Sequence, residues 1–283
     1  MHTLKSMADT GEHQRKPRGD KRRRIKLLSY NIQVGISTNR KFDYIAQSWK
    51  HFIPHTARHE NLKSIARLIR DFDIVGLQEL DGGSFRTNYI NQTEYLAQAG
   101  GFRCWHDKIN RNIGKLAKHS MGVLSRFEST SVSRHRLPGR IAGRGALVVE
   151  FGARPSSLAL MLVHLSLGQK ARLQQIDFLC DLVGQYDHVI LMGDMNCQAD
   201  SPEIQLLKAR TGLISSAGAR PSYPSWNPTR RIDHILVSPS IAIEDTRVLD
   251  YAFSDHLPVA MLIGLPERLD LGGDDDLDCR TAA

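Results

Sequence analysis

Short apolar runs in this chain keep meeting the same kinds of polar residue at their ends. Lys26-Leu27-Leu28-Ser29-Tyr30 leads into Asn31, and Ile74-Val75-Gly76-Leu77 into Gln78 and Glu79. Leu160-Met161-Leu162-Val163 stops at His164, and Val189-Ile190-Leu191-Met192-Gly193 stops at Asp194, with Asn196 two residues on. Asp233 and His234 enter a later run, and Ser254-Asp255-His256 precedes the last. Runs of this length bounded by polar residues read as buried strands. Gathering so many carboxylates, amides and imidazoles at strand ends costs free energy unless they pair or hold a metal. In open α/β sheets the rim of strand ends is also the crevice where ligands bind. The pattern therefore constrains the chain to layered sheets with one polar rim.

The remaining periodicity fills in the layers. Strands are expected over 25–30, 73–77, 122–125, 146–151, 158–164, 188–192, 232–237 and 258–263. Leu62, Ile65, Ala66, Leu68 and Ile69 recur at helical spacing within 60–72, and further helices are expected over 93–98, 170–184 and from 202 to 209. Pro202 suits a first helical turn, and Gly100-Gly101 a helix end. Some strands follow one another with no helix between them, which favours an α/β (α+β) fold with mixed sheets over a simple Rossmann alternation. No internal repeat and no Gly/Ser-rich linker divides the body, so residues 25–265 read as one domain. A length of 283 residues is enough for a full core without disulfides.

Charge separates the body from its ends. The chain carries a formal +8: residues 1–26 hold +6, residues 266–283 hold −4, and the rest is mildly basic. Residues 1–24 and 266–283 read as disordered tails of opposite sign. A basic body suits an anionic substrate. The four cysteines show no CxxC spacing and read as free thiols of a reducing compartment. The basic N-terminus lacks the apolar run of a secretory signal, and no stretch approaches the roughly 20 apolar residues of a membrane span. A cytoplasmic monomer with no transmembrane segment is expected.

Taken singly, each polar motif has an ordinary reading. Gly-Asp-Met-Asn makes a turn, His164 a satisfied core histidine, and Glu79 a surface acid. Together, and in this order, Ser29-Tyr30-Asn31-Ile32, Gly76-Leu77-Gln78-Glu79, Leu162-Val163-His164, Gly193-Asp194-Met195-Asn196, Arg231-Ile232-Asp233-His234 and Ser254-Asp255-His256-Leu257-Pro258-Val259 resemble the endonuclease/exonuclease/phosphatase superfamily. The resemblance spans 25–263. It implies a four-layer α/β/β/α sandwich with two mixed β-sheets, and a site across the top of both. It further implies metal-dependent hydrolysis of phosphoesters, phosphodiesters above all, with a nuclease ahead of a phospholipid or inositol-phosphate hydrolase. The alternative is a catalytically silent phosphate- or nucleic-acid-binding module on the same fold.

The roles implied by the resemblance fit the chemistry of the side chains. Phosphoester hydrolysis uses a metal to polarise phosphoryl oxygens, and hard oxygen donors suit Mg²⁺ or Mn²⁺. Glu79 is the expected primary ligand, with Asn31 beside it and Asp255 a further contact. Asp194 is the candidate base or water orienter, and Asn196 fixes the geometry. His256 binds the phosphate or moves a proton, with Asp233 holding its tautomer, and His164 contacts the phosphate or protonates the leaving oxygen. Asp194 and His256 are expected at a solvent-reaching mouth. Two departures stand out: Gln33 replaces the acid that several nuclease branches carry two residues after the Asn, and Met121 stands where relatives often carry an amide.

Residues 81–119 mix basic and aromatic side chains and read as a substrate-facing loop contributing Arg86, Arg111, Asn112 and His119. A second loop, 221–231, offers Trp226 and Arg231. The expected partner is a phosphate-bearing substrate, with nucleic acid and a phospholipid headgroup as its candidate sources. No Walker loop, GxSxG elbow, HExxH helix or complete zinc-ligand set competes with this reading.

Overall fold

The computed structural model describes residues 22–35, 56–139, 143–153, 156–269 and 271. Among the described residues, eleven strands form two mixed sheets. The first runs in the order β10 (Ala242–Val248), β11 (Val259–Gly264), β1 (Arg24–Asn31), β2 (Ile74–Asp81), β4 (Ala117–Ser125), β3 (Cys104–Ile113). The second runs β5 (Ser131–Arg136), β6 (Gly145–Phe151), β7 (Leu158–His164), β8 (His188–Asp194), β9 (Asp233–Val237). Only β1–β2 and β7–β8 pair in parallel, and the other pairings are antiparallel.

Three cores stack between four layers. Alternate residues of the two sheets, among them Leu27, Ile74, Val123, Leu160, Leu162 and Met192, face each other in a shared apolar interior. The opposite face of the first sheet, with Leu28, Val75 and Leu124, packs on α1 (Thr56–Ile69) and α2 (Gln92–Gly100) through Ile65, Ile69 and Leu96. The outer face of the second sheet, with Val148, Met161 and Leu191, packs on α3 (Gln169–Val183) and α4 (Pro202–Thr211) through Ile176, Leu179, Ile204 and Leu207. Central strands covered on both faces explain runs that are apolar throughout rather than alternating. Each such side chain contributes about 1.5–3 kcal/mol by leaving water. The result is the four-layer α/β/β/α sandwich, as a single domain.

The helix ends carry their own signals. Asn91 accepts at the start of α2 from Thr93 N at 3.0 Å, and Gly101 ends that helix in the left-handed region at φ 73°. Ser201 caps α4 with Pro202 behind it.

The structure departs from the sequence reading in three places. Residues 104–113 and 117–119, read as loop, form a long β-hairpin that runs into the strand expected over 122–125, and β5 and β10 are edge strands. Their half-exposed, charge-rich sequences carry no continuous apolar run, which is why the periodicity missed them. The fold also continues past residue 265, because Leu269 and Leu271 are buried in the inter-sheet core. At the other end Arg24, expected in the tail, opens β1 and pairs with Gly264, and the expected tails otherwise fall largely on residues 1–21, 270 and 272–283, outside the described residues. Among the described residues, no helix is long and apolar enough to cross a membrane, a statement that leaves β-barrels aside.

Candidate active site

The pairing register delivers the polar residues to one rim. On the first sheet Asn31 is level with Gln78. On the second, His164 is level with Asp194, and Asp194 with Asp233. Two local distortions then turn side chains toward the crevice. The β2–β4 register slips between Leu77 and Leu80, a bulge that holds Glu79 at φ 55°. Bulges re-aim side chains, and a non-glycine residue in the left-handed region stores strain that clusters at functional sites. At the end of β8, Gly193 has φ 141° and its position has no room for a Cβ, which would lie 2.0 Å from the Val163 carbonyl oxygen. Glycine is required there to bring Asp194 against β7.

The side chains converge. Asn31 Nδ2 donates to Glu79 Oε1 at 3.3 Å and to Asp194 Oδ2 at 3.2 Å, so one amide joins the acids of both sheets. His164 Nε2 lies 3.4 Å from Asp194 Oδ2 and 3.8 Å from Glu79 Oε1. His256 Nε2 faces the same Asp194 oxygen at 3.9 Å, and its Nδ1 meets Asp233 at 2.9 and 3.1 Å. Asp233 in turn accepts from Ser222 Oγ at 2.5 Å, and the Tyr223 ring packs on the His256 ring. Asn196 donates its backbone N–H to Asp194 Oδ1 at 2.9 Å and its side chain to the Leu165 carbonyl at 3.0 Å.

Burial corrects one expectation. Asp194 and His256 are not at the mouth: they are 2% and 5% exposed, beneath Glu79, whose side chain is 37% exposed. Their charges are set by one another. Burial alone would raise the Asp194 carboxyl, but the hydrogen bond from His164 and the charges of His256 and His164 hold it far below the usual carboxylate range. Burial would lower His256, yet Asp233, by charge and hydrogen bond, lifts it well above the ordinary imidazole value. Burial pushes Asp255 up to about 6, where the His256 charge opposes the shift and the Glu79 and Asp194 carboxylates add to it.

That last group bears on a metal. Glu79, Asp194 and Asp255 repel one another, and the imidazoles of His164 and His256 reach Asp194. A divalent cation held by Glu79 and Asp255 would offset this repulsion, and carboxylate oxygens are the hard donors that Mg²⁺ takes. The Asn31 amide turns its Nδ2 toward the acids and its Oδ1 toward the Gln33 N–H, so it would have to turn over to join them. Asp194, Asp233 and His256 also lie close enough to form an acid/histidine metal group. His256 Nδ1 is already engaged by both Asp233 oxygens, so the Glu79 side is the better fit.

The candidate substrate residues separate. Arg111 and His119 line a cleft with Glu79 and His164, and its cavity volume is about 240 Å³. Burial and the neighbouring Arg86 push His119 down to about 4. Asn112 is exposed on the hairpin outside that lining, and Trp226 is half-buried away from it. Arg231 is engaged elsewhere: its guanidinium donates to the Ser216 carbonyl at 3.0 Å and its N–H to Gln198 Oε1 at 3.0 Å. Arg86 is a structural residue, 1% exposed and paired to Asp81 at 2.5 Å.

Sequence reading missed Arg144, Asn110 and Ser222. The Arg144 guanidinium lies against His164, with Nη1 2.6 Å from Nε2 and 2.9 Å from Nδ1. It precedes β6 directly, so the strand-end logic that found the others would have found it too. Asn110 reaches the cleft from a second bulge, between Ile109 and Arg111. A stretch read as loop gave no hint of that bulge.

The comparisons with known proteins agree with this architecture. An endonuclease/exonuclease/phosphatase structure from Beutenbergia cavernae DSM 12333 superposes with a TM-score of 0.68 at 21% identity, over 86% of this chain and 72% of that one. A mannosyl-6-phosphatase from Bacteroides thetaiotaomicron VPI-5482 superposes at 0.64 with 17% identity, over 84% of this chain and 99% of its own. A humanized D. rerio TDP2 superposes at 0.59 with 16% identity, over 85% and 99%. No curated protein sequence matches the chain. The sequence pattern described as Endonuclease/Exonuclease/phosphatase family matches residues 28–256, and the chain belongs to that family, whose activity is phosphoester hydrolysis.

Proposed function

We propose that the chain is a Mg²⁺- or Mn²⁺-dependent phosphoester hydrolase, with phosphodiesters as the favoured substrates and nucleic acid ahead of phospholipid or inositol phosphate. The observation that carries this reading is the single Asn31 amide reaching both Glu79 and Asp194 at 3.3 and 3.2 Å, with two imidazoles facing the same Asp194 oxygen. Carboxylates for a cation and imidazoles for a phosphate thus meet within one phosphorus-sized space.

Glu79 and Asp255, with Asn31 beside them, would hold the metal, which would supply polarisation of the phosphoryl oxygens and stabilisation of the leaving oxygen. Asp194 orients the attacking water: Asn31, His164, His256 and the Asn196 N–H surround it with donors, which leaves it a weak proton acceptor and a firm acceptor of hydrogen bonds. Asn196 fixes the Asp194 carboxylate by that N–H. His256, held through Nδ1 by Asp233, turns Nε2 toward the phosphate oxygens. His164, backed by Arg144, contacts the phosphate or gives the leaving oxygen its proton. Exposed Arg111, Lys115, Arg134 and Arg136 extend positive charge beyond what one phosphate needs, which supports a polyanionic substrate. The fold similarity to a mannosyl-6-phosphatase keeps phosphomonoesters in view.

A panel of plasmid, single-stranded DNA, RNA, phospholipids and inositol phosphates, run with Mg²⁺ and Mn²⁺, tests the proposal. Turnover of a nucleic acid is expected. A silent binding module would hydrolyse none of them with either metal.

A further inference from the structure

The cleft beside the acid cluster contains more positive charge than the reaction itself accounts for. Arg111 and Arg144 line it, and Lys108 stands behind it. Elsewhere in the protein arginines meet carboxylates: Arg86 with Asp81, Arg172 with Glu203, Arg210 with Asp177 and Asp181. No carboxylate lies in ion-pair contact with Arg111, Arg144 or Lys108 among the described residues.

Lys108 is the sharpest case. It is 9% exposed, and its ammonium donates to the neutral Asn110 Oδ1 at 2.9 Å. Burial and the nearby Arg136 and Arg134 all disfavour its charge. A buried cation without a counter-ion costs several kcal/mol, a cost that an incoming anion would offset.

The backbone around it is cut to leave room. The bulge in β3 turns Asn110 into the cleft. Across from it lies Gly145, where a Cβ would sit 2.4 Å from Asn110 Oδ1 and 2.7 Å from Lys108 Nζ. Any side chain there would displace the amide or the ammonium. His119, largely neutral, completes the wall as a hydrogen-bonding group rather than a further charge.

We infer that Arg111, Asn110 and Lys108, with Arg144 between them and His164, form a subsite for a second phosphate group of the substrate, next to the one being hydrolysed. This rests on the phosphoester-hydrolase reading for the first phosphate, but Arg111, Asn110 and Lys108 lie outside that chemistry. The fitting substrate carries two phosphates on one small unit, as a nucleotide strand or a sugar bisphosphate does. A single isolated phosphoester leaves Arg111 and Lys108 without a partner.

Two measurements on the full chain at constant ionic strength test this. The first is calorimetric binding of thymidine 3′,5′-bisphosphate against thymidine 5′-monophosphate, with glucose 1,6-bisphosphate against glucose 6-phosphate in parallel. The second is release of p-nitrophenol from thymidine 5′-(p-nitrophenyl phosphate) with and without a 3′-phosphate. The second phosphate is expected to raise affinity and kcat/KM by about tenfold or more, the worth of one charge-assisted hydrogen bond. Arg111→Gln should bring that ratio close to one, and Arg111→Lys should keep most of it. Lys108→Met should also reduce the ratio, and if it fails to fold, the exposed Arg111 pair still decides. The larger gain, nucleotide or sugar, identifies the carrier. Turnover with no gain from the second phosphate overturns the subsite and leaves the hydrolase reading intact. A binding gain without turnover supports the subsite and overturns the hydrolase reading. Neither binding nor turnover overturns both.

Discussion

Glu79 and Asp81 stand two residues apart on β2 and live in opposite surroundings. Asp81 is fully buried and saturated with donors: Arg86 at 2.5 Å, Ser84 at 2.7 Å, Thr87 at 3.1 Å and the Lys118 N–H at 3.2 Å. Burial works against its charge, but the Arg86 and Ser84 hydrogen bonds hold its carboxyl below the ordinary value. Glu79 is partly open, sits on strained backbone, and meets one shared amide and a distant imidazole. In a regular strand residues i and i+2 share a face. The bulge between Leu77 and Leu80 breaks that equivalence. A saturated buried carboxylate fastens structure, here the 84–87 turn to the β3–β4 hairpin. An unsaturated one beside two further acids keeps binding capacity for a ligand.

The sharpest way to break the comparison is to change the two clusters separately. In the candidate catalytic cluster, Asp194→Asn keeps the shape of a buried side chain, so the protein should stay folded while turnover falls by about 10²–10³, the usual worth of one preorganised hydrogen-bonding group at the reacting centre. Steady-state kinetics with a thermal melt alongside checks both halves. His256→Ala should match it in turnover, with some loss of stability because the ring is buried. In the structural cluster, Asp81→Asn leaves the Arg86 guanidinium buried without its counter-charge, and urea unfolding should show a loss of about 3–5 kcal/mol. Turnover per folded molecule should change little. If Asp81→Asn instead lost activity at full stability, the division between the clusters would be wrong.

Asp233 lies between the two types. Its contacts are His256 Nδ1 and Ser222 Oγ, and in the proposed mechanism it acts through His256, so Asp233→Asn should cost less turnover than His256→Ala. The double change should be no worse than His256→Ala alone, because linked residues are not additive. An additive double mutant would give Asp233 a role of its own.

The smallest effect concerns Glu203, a second buried carboxylate, which is paired through one oxygen with Arg172 at 2.7 Å. Burial opposes its charge, but its backbone and Arg172 hydrogen bonds leave the folded carboxyl below the ordinary value. A depressed carboxylate stabilises the fold above its unfolded pKa of ~4.3 and loses that contribution as pH falls through the folded value. The Tm gap between wild type and Glu203→Gln should therefore be full at neutral pH and narrow on acidification. A gap that widened with acid would reverse the sign.

The strand-end residues were legible because the fold repeats one rule: an apolar run with a polar group just before or after it at the rim. Asn31, Glu79, His164, Asp194, Asp233 and His256 all obey it, and their order along the chain resembles the family. What the sequence hid depends on bulges and on depth. Asn110 reaches the cleft because β3 takes an extra residue there, and no local composition signals it. Arg86 looked like a substrate contact because it is a cation next to Glu79 in sequence. Only the fold shows that Asp81 claims it at 2.5 Å. The later part of the apparent loop, from Cys104 on, was a hairpin whose edge strand, half-wet and charged, has no apolar run to reveal it.

The central claim is that the Glu79 cluster is unsaturated because it holds a cation. It is tested most directly by exhaustive chelation followed by titration with Mg²⁺ and Mn²⁺, in wild type and Glu79→Gln, with turnover and metal binding read together. Wild-type activity is expected to vanish with the metal and return with either ion, while Glu79→Gln binds the ion weakly and stays inactive. Full turnover after complete removal of divalent metal, or undiminished metal binding by Glu79→Gln, would contradict it.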